Sequence, residues 1–203
     1  FDLAFKYRTP SMIIADGIIG QMMEKVILPP YRPRRTNDEI RQQCPWATLG
    51  KPDNRERNVT TSLALEAEEM ERTNLRLQAK YKEICENEVR FEAVNCDDAD
   101  FVLIAFGSIA RVCMSAMEIG RKEGLKIGVL RPITLYPFPT LKIQELAKKA
   151  KGILTVELSA GQMVEDVRLA VNGSIPVEFY GRMGGVVPTP EEVLEQLKKQ
   201  LVK

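Results

Sequence analysis

The chain has 203 residues, of which 44% are hydrophobic and 28% charged, the composition of an ordinary soluble protein with enough apolar material for one medium domain plus extra segments. A net charge of +1 gives no reason to expect a nucleic acid or an acidic membrane surface as partner. Histidine is absent, which removes the commonest general base and a common metal ligand, so a self-contained hydrolase or metalloenzyme is a poor reading.

Residues 1–28 read as the end of something. Phe1–Arg8 suits a helix closed by Pro10, Ser11–Ala15 a short apolar strand, Asp16-Gly17 a turn, and Ile18–Lys25 a further helix. A lone strand leaves its edges unpaired, so this stub is expected to need a sheet from elsewhere. The start at Phe1 rather than a methionine is expected of a fragment or processed form, and the N terminus has no secretory pattern. No apolar run approaches the ~20 residues needed to span a bilayer, which makes the cytoplasm the expected location.

Residues 29–61 read as a proline-rich basic linker. Pro29, Pro30, Pro33, Pro45 and Pro52 interrupt any periodicity, and Arg32, Arg34, Arg35, Arg41, Lys51, Arg55 and Arg57 outnumber the acids. It is either a solvated connector or an arm lying on a partner subunit. The single tryptophan, Trp46, favours the arm. Residues 62–94 suit one long helix or two in series, with Thr61 or Ser62 as N-cap. Glu66, Glu68 and Glu69 sit at its positive end, and Leu63, Met70, Leu77, Tyr81 and Ile84 form the apolar stripe.

From Asp97 strands and helices alternate. Strands are expected at Phe101–Phe106, Leu125–Leu130, Gly152–Leu158 and Pro176–Tyr180. Helices are expected at Ile109–Lys122, Thr140–Lys151, Gln162–Val171 and after Thr189, whose Pro190, Glu191 and Glu192 suit a first turn. This predicts a three-layer α/β fold, a mainly parallel sheet with helices on both faces, preceded by a long helix and a linker.

Ligands in such sheets gather beyond the carboxyl ends of the strands. Gly107 and Ser108 open a helix whose N–H groups suit an anion. Arg131 at a strand end suits a carboxylate, a phosphate or a neighbouring subunit's acid, and the prolines beside it order Tyr136 and Phe138. Glu157 and Gln162 flank a glycine turn. For each of these loops, plain turn geometry or an interface is the competing reading. Cys44, Cys85, Cys96 and Cys113 have spacings that fit neither zinc nor an iron–sulfur cluster, and read as reduced structural thiols.

In combination these segments resemble one family. Gly107-Ser108, then Arg131-Pro132-Ile133-Thr134-Leu135 with Pro137-Phe138-Pro139, then Val156-Glu157-Leu158 with Gly161-Gln162, are similar to the C-terminal half of the alpha subunit of 2-oxoacid:ferredoxin oxidoreductases. So are Asp16-Gly17-Ile18-Ile19-Gly20-Gln21-Met22-Met23-Glu24, and Phe179 to Gly185 with Pro188-Thr189-Pro190-Glu191-Glu192. Pro45-Trp46-Ala47 and Lys80-Tyr81 resemble the branched-chain type, which acts on 2-oxoisovalerate.

The resemblance implies four parts. Residues 1–28 would end the domain that binds the aminopyrimidine of thiamine diphosphate, and 29–61 would be the linker. Residues 62–96 would be a helical connector, and 97–203 a transketolase C-terminal-like domain concerned with assembly. It implies no catalytic, cofactor-binding or metal-binding residue on this segment, with thiamine diphosphate, Mg2+, coenzyme A and [4Fe-4S] clusters held elsewhere in the full complex. Implied partners are beta-, gamma- and delta-type subunits, a second alpha subunit, and ferredoxin through the complex, without nucleic acid or membrane. Isolated, the segment is expected to be inactive. The alternatives are the C-terminal domain of another thiamine-dependent enzyme (an oxoacid dehydrogenase beta subunit or a transketolase) and a non-enzymatic anion-binding module.

Overall fold

A computed structural model describes residues 1–51, 53–54 and 56–202; Pro52 and Arg55, both assigned above to the linker, lie outside the described residues. The chain divides into two compact units, one formed by Met23–Gln78 and one by Phe1–Met22 together with Ala79–Lys203.

The larger unit is built on a five-stranded sheet. Strands β2 (Phe101–Ile104), β3 (Ile127–Pro132), β4 (Gly152–Glu157) and β5 (Val177–Gly181) run parallel, and β1 (Phe91–Val94) lies antiparallel on β3, giving the order β1-β3-β2-β4-β5. Successive residues of a strand face opposite sides, and here both sides are apolar. Phe101, Leu103 and Leu154 pack on one face against helices α4 (Ser108–Lys122) and α7 (Pro190–Leu201). Val102, Ile104 and Ile153 pack on the other against α5 (Thr140–Ala147) and α6 (Met163–Val171). Helices therefore cover both faces, and the fold is the three-layer, mainly parallel α/β architecture expected. Leu103, Ile127, Ile143, Leu154 and Leu197 are fully buried, each contributing about 1.5–3 kcal/mol of apolar transfer.

Local chemistry sets the element ends. The Thr189 hydroxyl accepts from the Glu192 N–H and the Glu192 carboxylate accepts from the Thr189 N–H, a capping box that starts α7 with Pro190 in its first turn. At the far end of α4, Arg121 donates to the carbonyls of Ile127 and Asn95, 2.7 Å each, and pairs with Asp98 at 2.6 Å, tying the β1–β2 turn to β3.

Several expectations need correction. The helix expected over 62–94 is shorter: α3 covers Ala67–Asn87, so Thr61 and Ser62 are not its cap and Leu63 is exposed. Residues 91–94 form edge strand β1 instead. Its short FEAV sequence, exposed over three of four residues, carries little periodicity to separate it from the helix before it. Ser11–Ala15 forms no strand, and Ile18–Lys25 makes one turn, with Ile18 O accepting from the Gln21 and Met22 N–H groups, rather than a helix. A helix that short needs an apolar face packed on something to persist. The helix from Thr140 stops at Ala147, short of the expected Lys151.

In the smaller unit, the segment read as a linker contains helix α2 (Asn37–Gln43), opened by a Thr36–Glu39 capping box. Trp46 is half-buried and Cys44 buried within this unit. The helix α3 begins here and continues into the larger unit.

A Cβ on Gly128 in β3 would lie 2.9 Å from both Asn95 O and Cys96 Cα, backbone atoms of the turn that β3 supports. Gly128→Ala is therefore expected to destabilise the fold by about 1–3 kcal/mol, the usual cost of overpacking, read as a lower urea midpoint at unchanged m-value.

Candidate functional site

The connection from β2 through α4 leads to β3 on one side, and the connection from β3 through α5 returns past β2 to β4 on the other. The loops after β2 and β4 thus depart toward opposite faces and open a crevice at the carboxyl edge of the sheet, where α/β folds place their ligands. The crevice encloses about 310 Å3 between Phe106, Leu135, Phe138, Leu158 and Met163, and Ile14–Asp16 of the N-terminal segment borders it.

At both helix N termini facing this crevice a carboxylate of the chain accepts backbone N–H groups, three at α6 and one at α4. Glu157, 3% exposed at the end of β4, accepts bonds from the backbone N–H groups of Gln162 (3.1 Å), Met163 (3.1 Å) and Val164 (2.9 Å) and from the Ser159 hydroxyl (3.0 Å). It complements the positive end of α6. Asp16 does the same for α4: one oxygen accepts from the Ser108 N–H at 3.2 Å and the other from the Ile19 N–H at 2.9 Å. Partial burial pushes the Asp16 carboxyl up, but the bonds from Ile19 and Ser108 outweigh it and hold the group below its usual range. Gly107 precedes Ser108 at φ 68°, ψ −147°, a conformation left almost wholly to glycine.

Arg131 pairs with Glu92 at 2.8 Å directly across the β1–β3 register, so its charge is used within the sheet. Gln162 is the N-cap of α6. Phe138 packs half-buried on the α5–α6 core, whereas Tyr136 is exposed, its hydroxyl 3.9 Å from Cys85 Sγ. Arg131 and Tyr136 line a second, larger groove of about 710 Å3 with Tyr7, Met12, Ile84 and Phe106. Phe138, Glu157 and Gln162 therefore meet at one crevice, Arg131 and Tyr136 line the neighbouring groove, Gly107 borders both, and Ser108 lines neither.

One cluster has no counterpart in the sequence reading. Glu88, buried just beyond α3, accepts from Lys6 Nζ and the Tyr7 hydroxyl of helix α1 (Asp2–Tyr7), 2.7 Å each, with Arg90 at 3.6 Å. Lys6 also sits 4.7 Å over the Tyr7 ring. The bonds from Lys6 and Tyr7 hold the Glu88 carboxyl below its usual value, and the same Glu88 raises Lys6. These partners are separated by some 80 positions, so no local spacing signals them. The role of Asp16 was concealed for the same reason, because a turn-forming Asp-Gly looks complete by itself.

The cysteines are all free thiols: Cys44, Cys96 and Cys113 are buried and Cys85 is exposed. Burial pushes Cys96 up and Cys113 up to about 12, so neither is a thiolate at neutral pH. Among the described residues no three His, Cys, Asp or Glu side chains gather as a metal site.

Residues 99–193 match a family model described as pyruvate:ferredoxin oxidoreductase core domain II. The ketoisovalerate oxidoreductase subunit VorB of Methanothermobacter thermautotrophicus is 44% identical over 201 residues, covering 98% of this chain and 54% of that protein. VorB of Methanothermobacter marburgensis is 41% identical over 199 residues, with the same coverages of 98% and 54%. A solved structure, the 2-oxoglutarate:ferredoxin oxidoreductase from Magnetococcus marinus, superposes with a TM-score of 0.60 at 24% identity, covering 67% of this chain and 24% of that one. That likeness speaks to the fold. The chain belongs to the 2-oxoacid:ferredoxin oxidoreductase family, as part of a subunit. It spans about half the length of the curated relatives it matches, and the two VorB proteins named are of the ketoisovalerate type.

Glu157→Gln places an amide N–H2 among four donors, and is expected to cost about 2–4 kcal/mol in chemical denaturation, from one lost charge-assisted network. Glu88 behaves differently with pH. Its folded pKa lies below the usual 4.5, so the stability it contributes is present above pH 4.5 and is lost as pH falls through the depressed value. Acid titration followed by hydrogen exchange of α1 should show release below pH 4.5 in the wild type, and Glu88→Gln should remove that pH dependence.

Proposed function

We propose that the chain is the C-terminal portion of the alpha-type subunit of a branched-chain 2-oxoacid:ferredoxin oxidoreductase, acting on 2-oxoisovalerate. The observation that carries this reading is the 44% identity to a ketoisovalerate oxidoreductase subunit over 98% of the chain. In the reaction, a 2-oxoacid and coenzyme A give acyl-CoA and carbon dioxide while ferredoxin is reduced; thiamine diphosphate and iron–sulfur clusters supply that chemistry from elsewhere in a cytoplasmic complex.

In this reading residues 1–28 end a pyrimidine-binding domain, 29–61 form a connecting arm, 62–96 a helical connector and 97–203 an assembly domain. Geometry favours the assembly role. The carboxylates of Asp16 and Glu157 already take the anion positions at the crevice, which leaves little there to attract a phosphate or an oxoacid. Large apolar side chains instead face outward at Ile133, Tyr136, Leu141, Leu169 and Met183, as expected of surfaces that meet other subunits.

The test is turnover by the full-length protein assembled with its partner subunits. Coenzyme A-dependent ferredoxin reduction should be fastest with 2-oxoisovalerate, compared with pyruvate and 2-oxoglutarate. The 203-residue chain alone should reduce none. A preference for 2-oxoglutarate removes the branched-chain assignment, and turnover by this chain alone removes the assembly role.

A further inference from the structure

We infer that Asp16 is a positioning residue: its carboxylate takes the place of an external anion at the N terminus of α4 and so sets where segment 1–22 lies on the α/β core. The segment needs such a device. Among the described residues no backbone hydrogen bond holds Pro10–Ala15, so nothing in a sheet or helix fixes this stretch. It is fastened at its ends, by Lys6 and Tyr7 on Glu88 and by Asp16 on Ser108.

The receiving site is shaped for the carboxylate. Gly107 holds a left-handed φ that presents the Ser108 N–H outward, and even a Cβ at Gly107 would come within 3.4 Å of Asp16 Oδ2. The second oxygen closes the Asp16–Ile19 turn, so one side chain both folds its own loop and docks it. With its pKa held below the usual range, Asp16 stays anionic at neutral pH. Ile14, two residues before it, borders both the crevice and the larger groove, so the position of Asp16 sets a wall of each. The oxidoreductase reading enters only in naming the neighbour: on that reading the latch fixes the end of the pyrimidine-binding domain.

The experiment is hydrogen exchange on the full-length protein in its assembled state. Asp16→Ala should speed exchange of the Ser108 and Ile19 amides by about tenfold to a hundredfold, the loss of one charge-assisted hydrogen bond, with α6 unchanged. Acetate should restore protection in Asp16→Ala where chloride at equal ionic strength does not, because only a carboxylate refills the vacated position. Unchanged exchange, or equal restoration by chloride, overturns the inference. If Asp16→Ala fails to assemble, Asp16→Asn keeps the shape but only one acceptor oxygen, so one of the two amides, Ser108 or Ile19, should lose protection; protection retained at both overturns the inference as well. Wild-type protein that reduces no ferredoxin counts against the oxidoreductase reading while leaving the exchange result intact, and unchanged exchange in an active enzyme does the reverse.

Discussion

Positive helix ends must be answered somewhere, and this protein answers them from within. Parallel strands direct the N termini of their crossover helices to one edge of the sheet, where unpaired N–H groups accumulate. Many α/β proteins use that edge to hold an anionic ligand. Here Glu157 turns back from its own strand onto α6, and Asp16 reaches α4 from the other end of the chain. In this chain that edge carries carboxylate–amide bonds between its own segments.

The two fastenings differ in kind. Glu157 is bonded within seven residues of itself and stabilises the domain that contains it. Asp16 lies 92 positions from Ser108, and Glu88 more than 80 from Lys6 and Tyr7, so these bonds hold distant parts of the chain in register.

Much of the α/β core was legible because its signals are local. Runs such as FVLI at 101–104 and GILTV at 152–156, punctuated by Gly107, Gly124 and Gly161, give strands and turns by composition alone, and Thr189-Pro190-Glu191-Glu192 announces a helix start. Thr36-Asn37-Asp38-Glu39 carries the same capping signature and would have revealed α2 had the surrounding prolines not suggested a structureless stretch. Strand β1 was hidden because an edge strand of four residues needs only one apolar face. Of the site, the loops were found but their partners were not. Arg131 looked available until the antiparallel register set Glu92 opposite it, and the structural reading of Glu157 lacked its partners, the backbone amides of α6.

The order of strands also governs how this polypeptide is made. Strand β1 leaves the ribosome before β2, yet its partner is β3; β2 in turn is flanked by β3 and by β4, which emerges later still. Nascent β1 therefore has no strand partner while the next segments are being translated, whereas Glu88 just beyond α3 can already meet Lys6 and Tyr7 upstream. Synthesis in this order places a premium on polar edges early in the chain, and Glu92 and Arg90, exposed around β1, supply them until β3 arrives.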